Sequence, residues 1–464
     1  MFIHIFRRDL RIHDNVALDL LLKECKNNIF IPLFVFVTEQ ANPQKNPYFS
    51  PNSFRFMLES LQELHEELNE KMIFIDSDSI EKALEDLQKK YKKKIQGISW
   101  NLDYTPYAKK RDKSLIDWIH AQDHPIQIFN DTIENPEYTL FSPLNPKTLT
   151  ESEKKGYRVY GAFFRKVSKI IPNKPMQKKN HNYTTLPEKG QLKRSIKGME
   201  LALAPFPKFS GGRKNGLKIL DRIQQGEHAD YGDMRDNMIA DRTTGLSAYL
   251  KFGCVSIREA YWIIKNSANS EDLIKQLIWK EFYAHVVYHF PHVLKGSSMY
   301  MHFDECESIK DLWVKGKVLK ERFNKWKLGI TGVDIVDAAM NQLNTTGWMH
   351  NRGRMIVASF LVKDMHVDWR EGERYFAQKL IDYDPANNNG GWQWVAGVGV
   401  DAAPYFRVFN PWLQEKRFDK KREYIEKYKY NYKINENEET EEFSISMHKE
   451  RSARFVKLLK ECYK

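Results

Sequence analysis

The densest set of chemically able side chains in the chain is Asp382-x-Asp384-x3-Asn388, followed at once by Gly390-Gly391-Trp392-Gln393-Trp394. Paired carboxylates suit general acid–base work or a metal. No histidine or cysteine stands nearby to complete a metal shell, and no obvious nucleophile is present, so no metal is expected. A bound organic cofactor that carries the reaction is the better reading. Two other groups are mixed in character. Trp348, Asn351, Arg352 and Met355 fall at i, i+3, i+4 and i+7 and share one face if helical, where a core stripe would rarely admit Asn and Arg. Gln276, Trp279 and Lys280 repeat the mixture. Flat aromatic or soft apolar groups beside amide and cationic donors are what a nucleobase requires, stacking plus hydrogen bonds to its edges. Thr243-Thr244-Gly245-Leu246-Ser247 precedes a helical stripe, and its hydroxyls either cap that helix or offer donors to a phosphate.

These residues must be held by helices, because from about residue 216 helical patterning dominates. Leu273, Leu277, Ile278 and Phe282 form one apolar stripe, and Ile335, Ala338, Ala339 and Leu343 another. Residues 384–391, rich in Asn and Gly, are expected to interrupt the helices as a loop that holds backbone close to something. An amphipathic helix is expected at Arg451–Leu459. The first 130 residues differ. Apolar runs at Phe2–Phe6, Ile29–Val37, Met72–Ile75, Ile95–Trp100 and Ile126–Phe129 alternate with helical stretches such as Phe54, Leu58, Leu61, Leu64 and Leu68. That alternation predicts a Rossmann-like parallel α/β sheet, although no G-x-G-x-x-G follows the first strand. Residues 131–215, rich in Pro, Asn, Lys and Gly, read as an interdomain linker, leaving 216–464 as an all-helical domain.

Lys and Arg exceed Asp and Glu to give a formal charge of +12, which permits a polyanionic partner without proving one. Tryptophans cluster after position 250, consistent with a core, a stacked cofactor or a platform for bases. No apolar run is long enough for a membrane span, and no secretory signal precedes Phe2. The four cysteines, Cys25, Cys254, Cys306 and Cys462, lack metal-ligand spacing and are expected to be reduced thiols of an intracellular protein, in cytoplasm or nucleus.

From Phe6-Arg7-Arg8-Asp9-Leu10-Arg11-Ile12-His13-Asp14-Asn15 to about Asp419 the chain resembles the photolyase/cryptochrome family. It is most similar to the bacterial-type cyclobutane pyrimidine dimer photolyases. Leu277-Ile278-Trp279-Lys280-Glu281-Phe282-Tyr283, Thr346-Gly347-Trp348-Met349-His350-Asn351-Arg352 and residues 388–411 carry the resemblance most strongly. It implies an FAD-binding helical domain after the α/β domain, with FAD folded into a U and active in its reduced form. Tyr231, Thr243, Thr244, Leu246 and Ser247 would line its phosphates and ribose, with Lys280 close by. Asp382 and Asp384 would hydrogen-bond the flavin ring, Arg354 would pair with Asp382, and Asn388 would face the central-ring nitrogen. Trp279 and Trp394 would sandwich a flipped dimer in a pocket completed by Gln276, Asn351, Arg352 and Met355, while Arg235 and Arg407 would contact phosphates of UV-damaged DNA. Trp392, Trp369 and Trp313 resemble the tryptophan chain that photoreduces the flavin.

The resemblance thus implies light-driven splitting of the dimer by a monomeric enzyme. Two substitutions stand out: Gln276 occupies a position where these photolyases usually carry Glu, and Lys280 one that is usually Arg. An antenna chromophore, whether folate, deazaflavin or flavin, is left open, since Thr105 stands where folate-binding members often present Glu. A blue-light-sensing cryptochrome and a (6-4) photolyase are the rival readings. Asn388 opposes the first, and Asn351 and Met355 oppose the second.

Overall fold

The computed structural model describes residues 1–132, 136–141, 155–177, 181, 183–194, 199, 202–240, 242–401, 408–429 and 443–462. Short runs of β-branched and aromatic residues form five parallel strands: β1 (Phe2–Phe6), β2 (Ile29–Val37), β3 (Ile73–Ser77), β4 (Gly97–Trp100) and β5 (Gln127–Asn130). Their order is β3-β2-β1-β4-β5, and a sixth strand, β6 (Thr184–Thr185), also pairs with β2 in parallel. The sheet therefore takes one strand from the stretch read as a linker. Strand order reverses between β1 and β4, which opens a crevice beyond their carboxyl ends. Arg7, Arg8 and Asp103 leave the sheet at that crevice.

Helices pack on both faces. Leu84 and Leu87 of helix Ile80–Tyr91 and Leu115 of helix Pro106–His120 close one core, while Phe54, Leu61 and Leu64 of helix Pro51–Glu67 close the other. That second core continues into the helical part of the chain. Phe56 packs against Tyr249 and Phe252 with ring centroids 5.1 and 5.3 Å apart. Buried ions fasten the same junction. Arg258 reaches Asp14 and Glu137, each at 3.0 Å, and Arg11 binds Glu137 and, at 2.9 Å, the Gly253 carbonyl. The Arg-Arg-Asp-Leu-Arg motif at the end of β1 thus joins the two regions.

Helices Glu271–His289, Asp334–Thr346, Asn351–Lys363, Trp369–Lys379 and Pro385–Ala396 build the remainder, and both expected apolar stripes are buried. Three expectations need correction. Residues 385–391 are helical, not a loop. Asp384 caps this helix by accepting from the Asn387 amide at 3.1 Å, and Pro385 starts it with a φ already suited to a helix. Asn388 and Asn389 donate to the Glu373 and Val293 carbonyls, so their amides bond neighbouring elements instead of competing with the helix backbone. Gly390 is required by packing, since a Cβ there would stand 2.1 Å from the Tyr283 ring. Second, Trp348 lies before helix Asn351–Lys363, which His350 caps, so the four-residue face is not continuous. Third, Cys306 and Cys462 form a disulfide that ties the last helix, Ile445–Cys462, to the segment before Glu307–Lys310; only Cys25 and Cys254 are free among the described residues. A separation of 156 residues leaves no local spacing from which to read that pair.

Candidate active site

A cavity of about 520 Å³ opens among the helices. Helix Pro385–Ala396 lends it Asn387, Asn388, Gly391, Trp392 and Trp394, and helix Glu271–His289 lends Gln276, Trp279 and Lys280. Asn351, Arg354 and Met355 enter from helix Asn351–Lys363. Tyr231, Thr243, Thr244, Leu246 and Ser247 complete the lining. Neither Thr243 nor Thr244 caps a helix: the short helix Ser247–Lys251 has Leu246 at its N-cap and no side-chain cap bond. Thr244 Oγ1 instead accepts from the Leu246 backbone N–H at 3.4 Å, just ahead of that helix, and both threonines line the cavity.

Arg354 donates through Nη2 to both carboxylate oxygens of Asp382, at 3.1 and 3.0 Å, and Ser247 donates its hydroxyl to Oδ2 at 2.7 Å. Asp382 is thereby held as a fixed acceptor on the cavity wall. Asp384 sits deeper. Burial alone would raise its pKa, but Arg8, Lys251 and Lys280 hold it down to about 2. Arg8 lies 3.5 Å from Asp384 and 3.6 Å from Asp103, linking the sheet crevice to the cavity. Burial pushes Lys251 down to about 8, with Arg8 adding repulsion, and also lowers Lys280, whose ammonium donates to the Tyr138 carbonyl at 3.0 Å. Asn388 donates its amide to the Glu373 carbonyl at 3.0 Å, and burial pushes the neighbouring Glu373 carboxyl up to about 7. Arg8, Lys251 and Glu373 escaped the sequence reading. Arg8 lies in the quoted first motif, but nothing local ties it to residues some 370 positions away.

Trp279 and Trp394 both line the cavity. Arg352 does not: its guanidinium donates to Asp236 at 2.8 Å and covers the Phe418 ring, one helical position round from Asn351. Arg235 is exposed, 3.7 Å from Asp272, and Arg407 lies outside the described residues. Trp392 is buried at the cavity wall with ring neighbours Phe376 at 5.0 Å and Trp326 at 6.0 Å. Trp369 is fully buried away from this cavity, and Trp313 is half-buried against Phe455 of the last helix. A second cavity of about 630 Å³ occupies the crevice beyond the sheet, lined by Arg7, Arg8, Thr105, Arg111 and Trp369. Lys251 and Tyr383 border both cavities.

The model for the FAD binding domain of DNA photolyase matches residues 273–460, and the DNA photolyase model matches residues 2–181. A deoxyribodipyrimidine photo-lyase of Buchnera aphidicola is 33% identical over 440 residues, covering 91% of this chain and 86% of its own. The chain belongs to the photolyase/cryptochrome family. The photolyase of Escherichia coli is 31% identical over 438 residues, covering 90% of this chain and 87% of its own. Among solved structures, an archaeal photolyase from Sulfolobus tokodaii with two FAD molecules superposes with a TM-score of 0.79 at 32% identity, covering 99% of each chain. A class III photolyase from Agrobacterium tumefaciens gives 0.80 at 27% identity, covering 99% of this chain and 98% of its own.

As a photolyase, the protein is an enzyme of light-driven DNA repair with FAD as its cofactor. The residues present fit such a group. Gly391 lines the cavity with nothing within 4 Å of where a Cβ would stand, so a ring can approach bare backbone there. Asp384 Oδ2 is buried and makes no hydrogen bond in the protein, with the Arg8 guanidinium 3.5 Å away. Among the described residues no cluster of His, Cys, Asp or Glu could hold a metal ion, and no helix is long and apolar enough to cross a membrane.

Proposed function

We propose that this photolyase splits cyclobutane pyrimidine dimers in DNA, taking the flipped dimer between Trp279 and Trp394. The observation that carries the reading is that these two indoles line the same cavity as Asp382, Asp384 and Asn388. FAD held in this cavity would supply reversible light-driven electron transfer to the dimer. Photolyases are themselves recognised base-flipping enzymes, so the extrusion step is inherited with the family. Each base–aromatic stack is worth about 1–3 kcal/mol, comparable with the cost of unstacking a damaged step.

The chain's own residues orient and exclude. Asp382, fixed by Arg354 and Ser247, would accept from the flavin edge, and Asp384 would offer Oδ2, which makes no hydrogen bond in the protein, to a second N–H. Asn388, its amide steadied by the Glu373 carbonyl, would face the flavin's central-ring nitrogen. Tyr231, Thr243, Thr244, Leu246 and Ser247 receive the phosphates and ribose, with Lys280 as a nearby cation. Gln276, Asn351 and Met355 contact the dimer, and Arg235 and Arg407 the DNA phosphates. Trp392, Trp369 and Trp313 conduct electrons that restore the reduced flavin, and the packing adds Trp326 beside Trp392 as a further candidate. The second cavity is the place for an antenna chromophore; the archaeal relative that carries two FAD molecules makes a flavin the first candidate to look for.

The test uses reduced, FAD-loaded protein with a thymine-dimer oligonucleotide and a matched (6-4) oligonucleotide, in light and in darkness. Light-dependent return of the thymine dimer alone to intact thymines is expected. Repair of the (6-4) lesion instead would overturn the substrate assignment, and repair of neither would move the protein to the signalling side of the family.

A further inference from the structure

The two tryptophans of the proposed dimer site come from different helices, Trp279 from Glu271–His289 and Trp394 from Pro385–Ala396. Their separation must match the thickness of what lies between them. Dispersion contacts are steep: a gap of about 0.5–1 Å forfeits a quarter to a half of the attraction. Something must therefore set that distance.

Outside the cavity a continuous set of contacts runs from one indole to the other. The Tyr160 ring lies flat on Trp279, with centroids 3.6 Å apart and planes 2° from parallel. Tyr160 is not among the cavity-lining residues, so it backs Trp279 and leaves the cavity to the indole. Its hydroxyl donates to the Lys275 carbonyl at 3.2 Å, anchoring the ring one turn earlier on the helix that carries Trp279. Its backbone N–H donates to Asp401 Oδ1 at 3.2 Å. Tyr160 opens helix Tyr160–Val167, whose N-cap, Val159, has no side chain able to cap it; the carboxylate from 241 residues away serves instead. Asp401 in turn accepts the Trp394 indole N–H on its backbone carbonyl at 2.7 Å and donates its own N–H to the Arg158 carbonyl at 2.9 Å. With φ at +44°, Asp401 occupies the left-handed region, a conformation that aspartate tolerates better than most residues.

We propose that Tyr160 and Asp401 form a brace that fixes the gap between Trp279 and Trp394, and that both are positioning residues for dimer recognition. The proposal rests on the dimer-splitting reading above. A cap alone would stabilise helix Tyr160–Val167 whatever DNA is bound. A brace affects damaged DNA selectively, because undamaged duplex is held through its phosphates and enters no gap.

The experiment measures binding of FAD-loaded protein to a thymine-dimer duplex and to the same duplex undamaged, with flavin content and absorbance checked for each variant. Tyr160→Leu removes the stack. Asp401→Gly removes the carboxylate while keeping the carbonyl and the left-handed backbone. Both are expected to bind the dimer duplex about ten-fold more weakly and the undamaged duplex about as well as the parent. Repair per absorbed photon in the saturated complex should be unchanged, so that the effect lies in KM and not in kcat. Tyr160→Phe and Asp401→Asn, which keep the ring and an acceptor oxygen, should restore affinity to within about two-fold. Unchanged dimer affinity in Tyr160→Leu and Asp401→Gly overturns the brace, as does equal loss on both duplexes. Tighter dimer binding by Tyr160→Leu also overturns it, since the ring would then be blocking the cleft. Trp279→Ala and Trp394→Ala are the parallel arm. If they too bind the dimer as the parent does, the reading of the cavity fails and the brace with it; if they lose the dimer while Tyr160→Leu does not, the brace alone fails.

Discussion

Replacing Asp384 by Asn keeps the shape of the side chain and removes its charge from beside Arg8, Lys251 and Lys280. Three buried cations then lose their common partner, and stability should fall by roughly 2–4 kcal/mol in urea titration at neutral pH. The pH dependence follows from the sign of the shift. Asp384 is depressed from its ordinary 3.8 to about 2, so its contribution is complete above about pH 4 and disappears as pH falls through 2. The difference between Asp384→Asn and the parent should therefore close at the acid end, and flavin retention should be poor in the variant throughout. The carboxylate itself was visible in the sequence as half of a pair, and the match to a family motif assigned it to the flavin. Its dependence on Arg8 was not visible, because a contact between a strand end and a helix cap so far apart leaves no local pattern. Arg352 shows a different limit: helical spacing put it with Asn351, and one step round the helix its guanidinium reaches Asp236.

At the scale of elements, the strand–helix alternation of the first 130 residues is legible because each buried strand is a short apolar run and each covering helix keeps one apolar face. The segment 385–391 is illegible for an equally physical reason. Its Asn and Gly residues are poor helix formers in isolation, and tertiary bonds to Glu373 and Val293 together with packing against Tyr283 override that preference. The two adjacent glycines then separate two functions. Gly390→Ala would press a methyl group into Tyr283 and should cost about 1–3 kcal/mol of stability. Gly391→Ala meets open space and should raise the stability of the flavin-free protein by up to about 1 kcal/mol, while weakening flavin retention. Thermal melts paired with flavin absorbance distinguish the two; a stabilised Gly391→Ala that holds flavin as tightly as the parent would show that the cofactor does not approach this turn.

At the scale of the molecule, sheet and helices are not two bodies joined by a tether. They share a core around Phe56 and Phe252, and the buried Arg258–Asp14 and Arg258–Glu137 pairs cross the same junction. Each region also keeps a core of its own, around Leu84 and Leu115 in the sheet part and around Trp326 and Phe360 among the helices, so the shared core joins two bodies that each have an interior. The Cys306–Cys462 bond adds a constraint of a different kind. It closes the last third of the chain into a covalent hoop, and in the chain-entropy picture a loop of this size lowers the entropy of the unfolded state by the equivalent of about 5 kcal/mol. A protease that cuts once anywhere inside the hoop cannot release a fragment. On a gel the nicked protein should run as one species without reductant and as two with it, and two species in both lanes would show the hoop to be open. For this enzyme a broken backbone and a lost fragment are separate events, and only a reducing agent turns the first into the second.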